Sequence, residues 1–168
     1  MIVFAIPLRA KETAKNWKEV ETRFWDTIRS IFNQEGEDYR VIVACNEIPE
    51  KADVVYDERL EFIELDMPIP MEWIEMARDK FWKLTEIAVR IREILEMQKH
   101  PEKGIYVMPV DADDLLNCKI AKWCEKHPDE NGFVSKDGYV WENGKPYFRT
   151  YKGMHTYCGS CNIINVVL

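Results

Sequence analysis

Three carboxylates fall within four positions at Asp111-Ala112-Asp113-Asp114, directly after the apolar run Ile105 to Val110. Because that run is rich in β-formers, it predicts a strand covered on both faces of a sheet. Open α/β sheets bind ligands at the carboxyl ends of such strands. Crowded carboxylates repel one another, and a hard divalent cation, a raised pKa or full exposure to water relieves the repulsion. We favour the cation.

The same acids also fit the start of a helix. Asp111 would cap a helix that begins near Leu115, with Asp113 and Asp114 in its first turn complementing the helix dipole. A cap needs one Asp and contributes about 1 kcal/mol, so this alternative leaves the other two acids as ordinary first-turn residues. The motif alone is only moderately specific.

The composition predicts a globular protein of one domain, spanning residues 1–168, with 46% hydrophobic residues available for a core. A net charge of -7 argues against nucleic acid or an anionic membrane surface as the main partner. The amino-terminal residues lack a basic leader, and no apolar run approaches the ~18 residues of a membrane span. We therefore expect a cytoplasmic protein, in which an odd number of cysteines predicts free thiols.

Strands and helices alternate before the acids. Apolar runs predict strands at Ile2 to Leu8, Tyr39 to Cys45, Val54 to Tyr56 and Leu60 to Leu65. Apolar residues at helical spacing predict one amphipathic helix around Phe24 and a longer one that Lys99-His100-Pro101 stops. The longer stripe is heptad-like, which also fits a coiled coil, but its broad face favours packing on a sheet. Its members are Ala77, Phe81, Leu84, Ala88, Ile91 and Leu95, widened by Ile74, Ile87 and Ile94.

The last third of the sequence predicts short β segments in place of the alternating strands and long helices. After a helix that runs from Leu115 to His127-Pro128, short β segments are predicted at Gly132 to Ser135 and Gly138 to Trp141. A two-residue turn in Glu142-Asn143-Gly144-Lys145 then predicts a hairpin. The fold class is therefore α/β: a mixed, mainly parallel sheet flanked by helices, with a β-hairpin appendage near the carboxyl end.

The order of the strands predicts one crevice. If the first strand lies beside the acidic strand while the second and third run outward from it, the sheet reverses direction between them. Three segments would then meet at one edge of the sheet: the loop with Pro7 and Arg9, the end of the second strand with Asn46, and Asp111 to Asp114. Together they would combine cations for a phosphate with carboxylates for a metal. A nucleotide with a divalent ion fits this crevice.

The order of the predicted strands and helices, together with the Asp-x-Asp motif near residue 110, resembles that of the GT-A glycosyltransferases. The resemblance is close to the family-2-like set, which transfers sugars from nucleotide diphosphates. The resemblance covers most of the chain. It implies Mn2+ or Mg2+ bound mainly by Asp113, ribose or metal contact by Asp111, and Asp114 as a helper. It also implies a nucleotide-diphospho-sugar donor and an unknown acceptor, with residues 1–117 as the nucleotide-binding half and 130–168 as an incomplete acceptor-side segment.

Arg78-Asp79-Lys80 and Lys83 are also similar to the family, in whose members the corresponding residues contact the base or the phosphate of the nucleotide. A solvated helix face explains these charges equally well. Tyr157 to Asn162 resembles the small-residue turn that lines the sugar pocket. In the family the general base follows that turn, and Asn162 to Leu168 contain no acid. The resemblance therefore predicts a shortened or fragmentary form, whose catalytic base the sequence does not identify.

Three alternatives remain. The protein could bind a nucleotide sugar without turnover, or form a zinc-stabilised module through Cys124, His127, Cys158 and Cys161. It could also be a phosphatase of the haloacid-dehalogenase type, although that motif ordinarily opens its fold. Tyr139, Trp141 and Tyr147 could stack on a sugar ring, or simply pack across the hairpin.

Overall fold

The computed structural model describes residues 1–50, 57–98, 104–142 and 144–166. The strand predicted at Val54 to Tyr56, the helix stop at Lys99 to Pro101 and Asn143 of the predicted hairpin turn lie outside these residues. The described strands are β1 (Ile2–Pro7), β2 (Tyr39–Cys45), β3 (Leu60–Glu64), β4 (Ile105–Pro109), β5 (Gly132–Val134), β6 (Asp137–Trp141), β7 (Phe148–Lys152) and β8 (Asn162–Val166). The α-helices are α1 (Trp17–Phe32), α2 (Trp73–Glu96) and α3 (Ile120–Lys126).

Six strands form one sheet in the order β3-β2-β1-β4-β8-β5. The first four in this order are parallel, β8 is antiparallel to β4, and β5 is antiparallel to β8. The antiparallel pair β6-β7 forms a separate two-stranded sheet. The predicted α/β class, the mixed and mainly parallel sheet and the hairpin are thus confirmed, whereas β5 and β8 join the main sheet.

Helix α1 covers one face of the sheet. The Asn16 side chain caps it by accepting the Glu19 backbone N–H at 3.3 Å. Its predicted stripe is buried as expected, with Phe24, Ile28 and Ile31 packing in one core with Phe4 of β1. Full burial of each such side chain stabilises the fold by roughly 1.5–3 kcal/mol, so this face anchors the domain.

Helix α2 covers the other face with only its second half. Ile87, Ile91 and Leu95 are buried in a core with Val3 and Ile42. The predicted stripe is wrong in the first half, where Ala77 is exposed and the Phe81 side chain is 68% exposed. A helix of 24 residues is about 36 Å long, whereas a strand of five spans only about 17 Å. The first turns of α2 therefore project past the sheet.

One ion pair lies inside the fold on α2. Lys83 is fully buried, and its ammonium donates to Asp79 Oδ2 at 2.8 Å. A solvated helix face is therefore the wrong description of Lys83. Because a buried charge is costly without a partner, each member of this pair depends on the other.

The helix after the acids begins at Ile120 rather than near Leu115. Its N-cap position is Lys119, and the Asp114 backbone N–H instead closes a turn on the Asp111 carbonyl at 3.0 Å. The helix-cap alternative for the three acids is therefore wrong.

Two ion pairs on α2 share i,i+4 spacing but differ in burial, which gives a matched stability test. Lys83→Met leaves Asp79 buried without its partner and should lower the free energy of unfolding by about 3–5 kcal/mol. Arg92→Met breaks the exposed pair with Glu96 and should cost less than about 1 kcal/mol. Urea denaturation of both variants measures the difference, and equal losses would contradict the assigned burial.

Candidate functional site

The pairing of β1 with β4 brings two loops to the same edge of the sheet. The Val110 N–H extends the ladder past β4 by donating to the Ala5 carbonyl at 2.8 Å. The Pro7 loop and the acidic turn therefore leave adjacent parallel strands side by side. This is the reversal of strand order that the sequence predicts, and ligands of open α/β sheets bind at such points.

A cavity of about 640 Å³ opens at this edge, and we call it the first cavity. Pro7, Arg9, Lys80, Asp111 and Asp113, all predicted as site residues, line it. Helix α1 contributes a further wall through Asn16, Glu19, Val20 and Arg23. The charged side chains of the lining are Arg9, Lys15, Arg23 and Lys80 against Glu19, Asp111 and Asp113. This cationic excess, in a protein with a net charge of -7, suits an anionic ligand.

Cations from two helices balance the acids of the cavity. Lys80 donates to Asp111 Oδ1 at 2.5 Å. Arg23 lies 4.0 Å from Asp113 Oδ2 and also binds Glu19 at 2.5 Å. The Asp113 side chain is 60% exposed. Ion pairing and exposure to water therefore relieve the carboxylate repulsion in the absence of a ligand.

The small-residue turn lies against the acidic turn. The Asp111 backbone N–H donates to Ser160 Oγ at 2.8 Å, and the Cys158 thiol donates to Asp114 Oδ2 at 3.2 Å. Ser160 itself is buried. These contacts join residues 158–161 to the end of β4, so the segment predicted to line a sugar pocket fixes the position of the acids.

Asn46 and Arg78, two of the predicted site residues, do not line the first cavity. Asn46 follows β2 and donates its amide to the Met67 carbonyl at 3.2 Å, and its Oδ1 is buried without a hydrogen-bond partner among the described residues. Asp79 Oδ1 is likewise buried without a partner. Arg78 is exposed on the projecting half of α2.

The prediction from the sequence did not include Arg23, and it included Ser160 only as part of the turn from Tyr157 to Asn162. The available signal for Arg23 was spacing, because Asn16, Glu19, Val20 and Arg23 recur at three- and four-residue steps along the first turns of the helix that follows the Pro7 loop. No signal in the sequence singled out Ser160, whose role depends on a contact across 49 positions.

Asp111 and Asp113, two of the three acids that line the first cavity, are of the ligand type that a magnesium or manganese ion takes when it also binds its substrate. Such ions take one or two protein carboxylates and complete their coordination with substrate phosphates and water. Across the described ranges, no group of three or more His, Cys, Asp or Glu side chains gathers as a metal site. The same finding means that no set assembles from Cys124, His127, Cys158 and Cys161 for zinc.

No protein-family model matches this sequence, and no curated protein matches it significantly. No helix in the described part of the chain is long and apolar enough to cross a membrane.

The contact between Asp114 and Cys158 can be tested through thiol chemistry. Burial, followed by the hydrogen bond to Asp114, raises the pKa of Cys158 to about 11. Asp114→Asn removes the negative charge, so the pKa of Cys158 should fall, and the thiolate fraction at pH 8 should rise about tenfold per unit. Iodoacetamide labelling in chelator, followed by mass spectrometry, measures this change.

Cys124 is the matched control, because burial is the main cause that raises its pKa to about 11. Its labelling rate should not respond to Asp114→Asn. An unchanged rate at Cys158 would show that the thiol does not sense the carboxylate.

Proposed function

We propose that this protein is a metal-dependent glycosyltransferase that uses a nucleotide-diphospho-sugar donor. The observation that supports the proposal is the first cavity: four cationic side chains, together with Glu19, Asp111 and Asp113, line it where β1 and β4 end, at the reversal of strand order. The resemblance in element order and in the Asp-x-Asp motif agrees with it. The acids come after the fourth strand, so the opening motif of a haloacid-dehalogenase phosphatase fits less well.

The residues of the first cavity suit a departing diphosphate. Sugar transfer leaves negative charge on the diphosphate, and preorganised cations stabilise that charge as it develops. The proposal gives Arg9, Arg23 and Lys80, which line the first cavity, the role of binding its oxygens. A divalent cation bound to Asp111 and Asp113 would supply further positive charge there.

A second candidate function is nucleotide-sugar binding without turnover. Its support is that all three acids lining the first cavity contact a cation: Asp111 contacts Lys80, while Glu19 and Asp113 contact Arg23. All three are held by cations in this structure, and among the described residues the first cavity offers no further acid as a general base. Release of sugar from the donor during incubation would separate a transferase from a binding protein.

Metal linkage tests the proposal directly. A diphosphate and the two carboxylates repel each other unless a divalent cation lies between them. Uridine or guanosine diphosphate should therefore bind in manganese and lose affinity in chelator. Asp113→Asn removes one anionic ligand at nearly constant volume and should weaken binding in manganese by about tenfold or more, about 1.4 kcal/mol per factor of ten. Calorimetric titration measures both effects.

Asp129→Asn is the matched control, because Asp129 is exposed and lines neither this cavity nor the one described below. It should bind like the wild type. Equal affinity in manganese and chelator, or wild-type affinity in Asp113→Asn, would remove the main support for a metal-dependent transferase.

A further inference from the structure

One side of α2 is open to solvent although it is largely apolar. Its members recur at the three- and four-residue steps that place side chains on one side of a helix. We call this set the outer face of α2: Ile74, Arg78, Phe81, Trp82, Thr85 and Val89. Its four apolar members are 48–68% exposed. None of the six lines the first cavity or a second cavity of about 420 Å³, which Asp114, α3 and β6 border. The outer face is therefore a surface rather than the wall of a pocket.

The open apolar surface has the size of a modest protein interface. Phe81 and Trp82, at the middle of the outer face, together leave roughly 250 Å² exposed if each ring system offers about 200 Å². With Ile74 and Val89, this surface comes to about half of the roughly 800 Å² that each partner buries in a standard interface. Contiguous apolar surface of this extent on a soluble protein marks an interaction site.

The outer face is symmetric about the midpoint between Phe81 and Trp82. Arg78 and Thr85 are equally far from this midpoint along the chain, and so are Ile74 and Val89. In an antiparallel helix pair with a twofold axis, residues equally far from the axis lie opposite each other. Ile74 of one copy then meets Val89 of the other, and Phe81 meets Trp82. The pattern of the outer face therefore matches a second copy of itself.

The charges along the same face favour the antiparallel orientation. Glu86 follows Thr85 directly, so Arg78 of one copy lies near Glu86 of the other, and a dimer contains two such pairs. In a parallel pair, Arg78 would meet Arg78 and Glu86 would meet Glu86, and like charges repel. A lipid surface fits less well, because Glu75 and Glu86 border the outer face and the net charge is -7.

We propose that the outer face of α2 is the interface of a homodimer, in which two copies of α2 pack antiparallel about a twofold axis between Phe81 and Trp82. Thr85 is small, and its hydroxyl already donates to the Phe81 carbonyl at 3.0 Å, so only its methyl group meets the other copy. Met76 and Lys80 line the first cavity from the opposite side of the helix, and the dimer leaves that cavity open. The dimer does not depend on the proposed function.

Sedimentation velocity over a concentration series of the full chain tests the dimer. Because the interface is at the low end of the size range, we expect a dissociation constant in the micromolar range. Trp82→Lys places an ammonium among the aromatic side chains and should weaken dimerisation by at least about tenfold. Trp82 is exposed, so this variant should keep the far-UV circular dichroism of the wild type.

Trp141→Lys is the matched control, because Trp141 and Trp82 are both 55% exposed but Trp141 lies on β6. It should dimerise like the wild type. Equal losses in the two variants would overturn the proposal, as would a wild type that stays monomeric up to about 0.5 mM, where a micromolar dimer is populated. A monomer that cosediments with phosphatidylcholine vesicles would assign the outer face to lipid and overturn the dimer.

Charge reversal tests the antiparallel orientation. Arg78→Glu and Glu86→Arg, each alone, set like charges opposite each other at two places and should weaken dimerisation by roughly tenfold. An equimolar mixture of the two variants should associate like the wild type, because both cross-pairs then carry opposite charges. Wild-type association in both single variants, or no recovery in the mixture, would overturn the antiparallel pairing.

Discussion

The pairing of β1 with β4 is the interaction on which the rest of the site depends. On one side of this pair the sheet continues through β2 and β3, and on the other through β8 and β5, so the loops after β1 and β4 diverge and leave a crevice. Pro109 in β4 has no N–H to donate, yet the ladder continues because the Val110 N–H reaches the Ala5 carbonyl. The acidic turn therefore starts from a fixed point.

The difference in length between α2 and the strands supplies the opposite wall of the crevice. The second half of α2 packs on the sheet, and its first turns pass beyond the carboxyl edge, where Met76 and Lys80 line the first cavity. The same projection leaves Phe81 and Trp82 exposed. The exposure of these apolar residues and the position of Lys80 at the first cavity thus have one geometric cause.

The sequence was informative where the periodicity of a whole element sets its environment. The strand Tyr39–Cys45 and the helix Trp17–Phe32 are found where apolar runs and stripes predict them, and strand order follows from the crossover rules. The stripe of α2 misled at Phe81, because periodicity identifies an apolar face but not whether the sheet is long enough to cover it. The predicted start of α3 near Leu115 was wrong. The Asp111 carbonyl, which a helix capped by Asp111 would use, instead accepts the Asp114 N–H in a turn.

The site was predictable where loops leave known strands, as for Pro7, Arg9, Asp111 and Asp113. It was not predictable where a contact joins segments far apart in sequence. The hydrogen bond from the Asp111 backbone to Ser160 and the approach of Arg23 to Asp113 depend on how β8 and α1 dock, which no local pattern encodes. The division of the three acids between two cavities is of the same kind.

Two lysines one turn apart on α2 show how burial separates structural from functional charge. Lys83 and Asp79 are buried, so losing one partner leaves the other as an unpaired buried charge. This cost keeps the pair together. Lys80 and Asp111 are 45% and 39% exposed, and such a pair is worth at most about 1 kcal/mol. Under the proposed function, an incoming diphosphate would therefore draw the Lys80 ammonium away from Asp111 at little cost. The carboxylate released in this way is one that the proposed function requires for a metal ion, so loading the first cavity with an anion would itself create the vacancy for the cation.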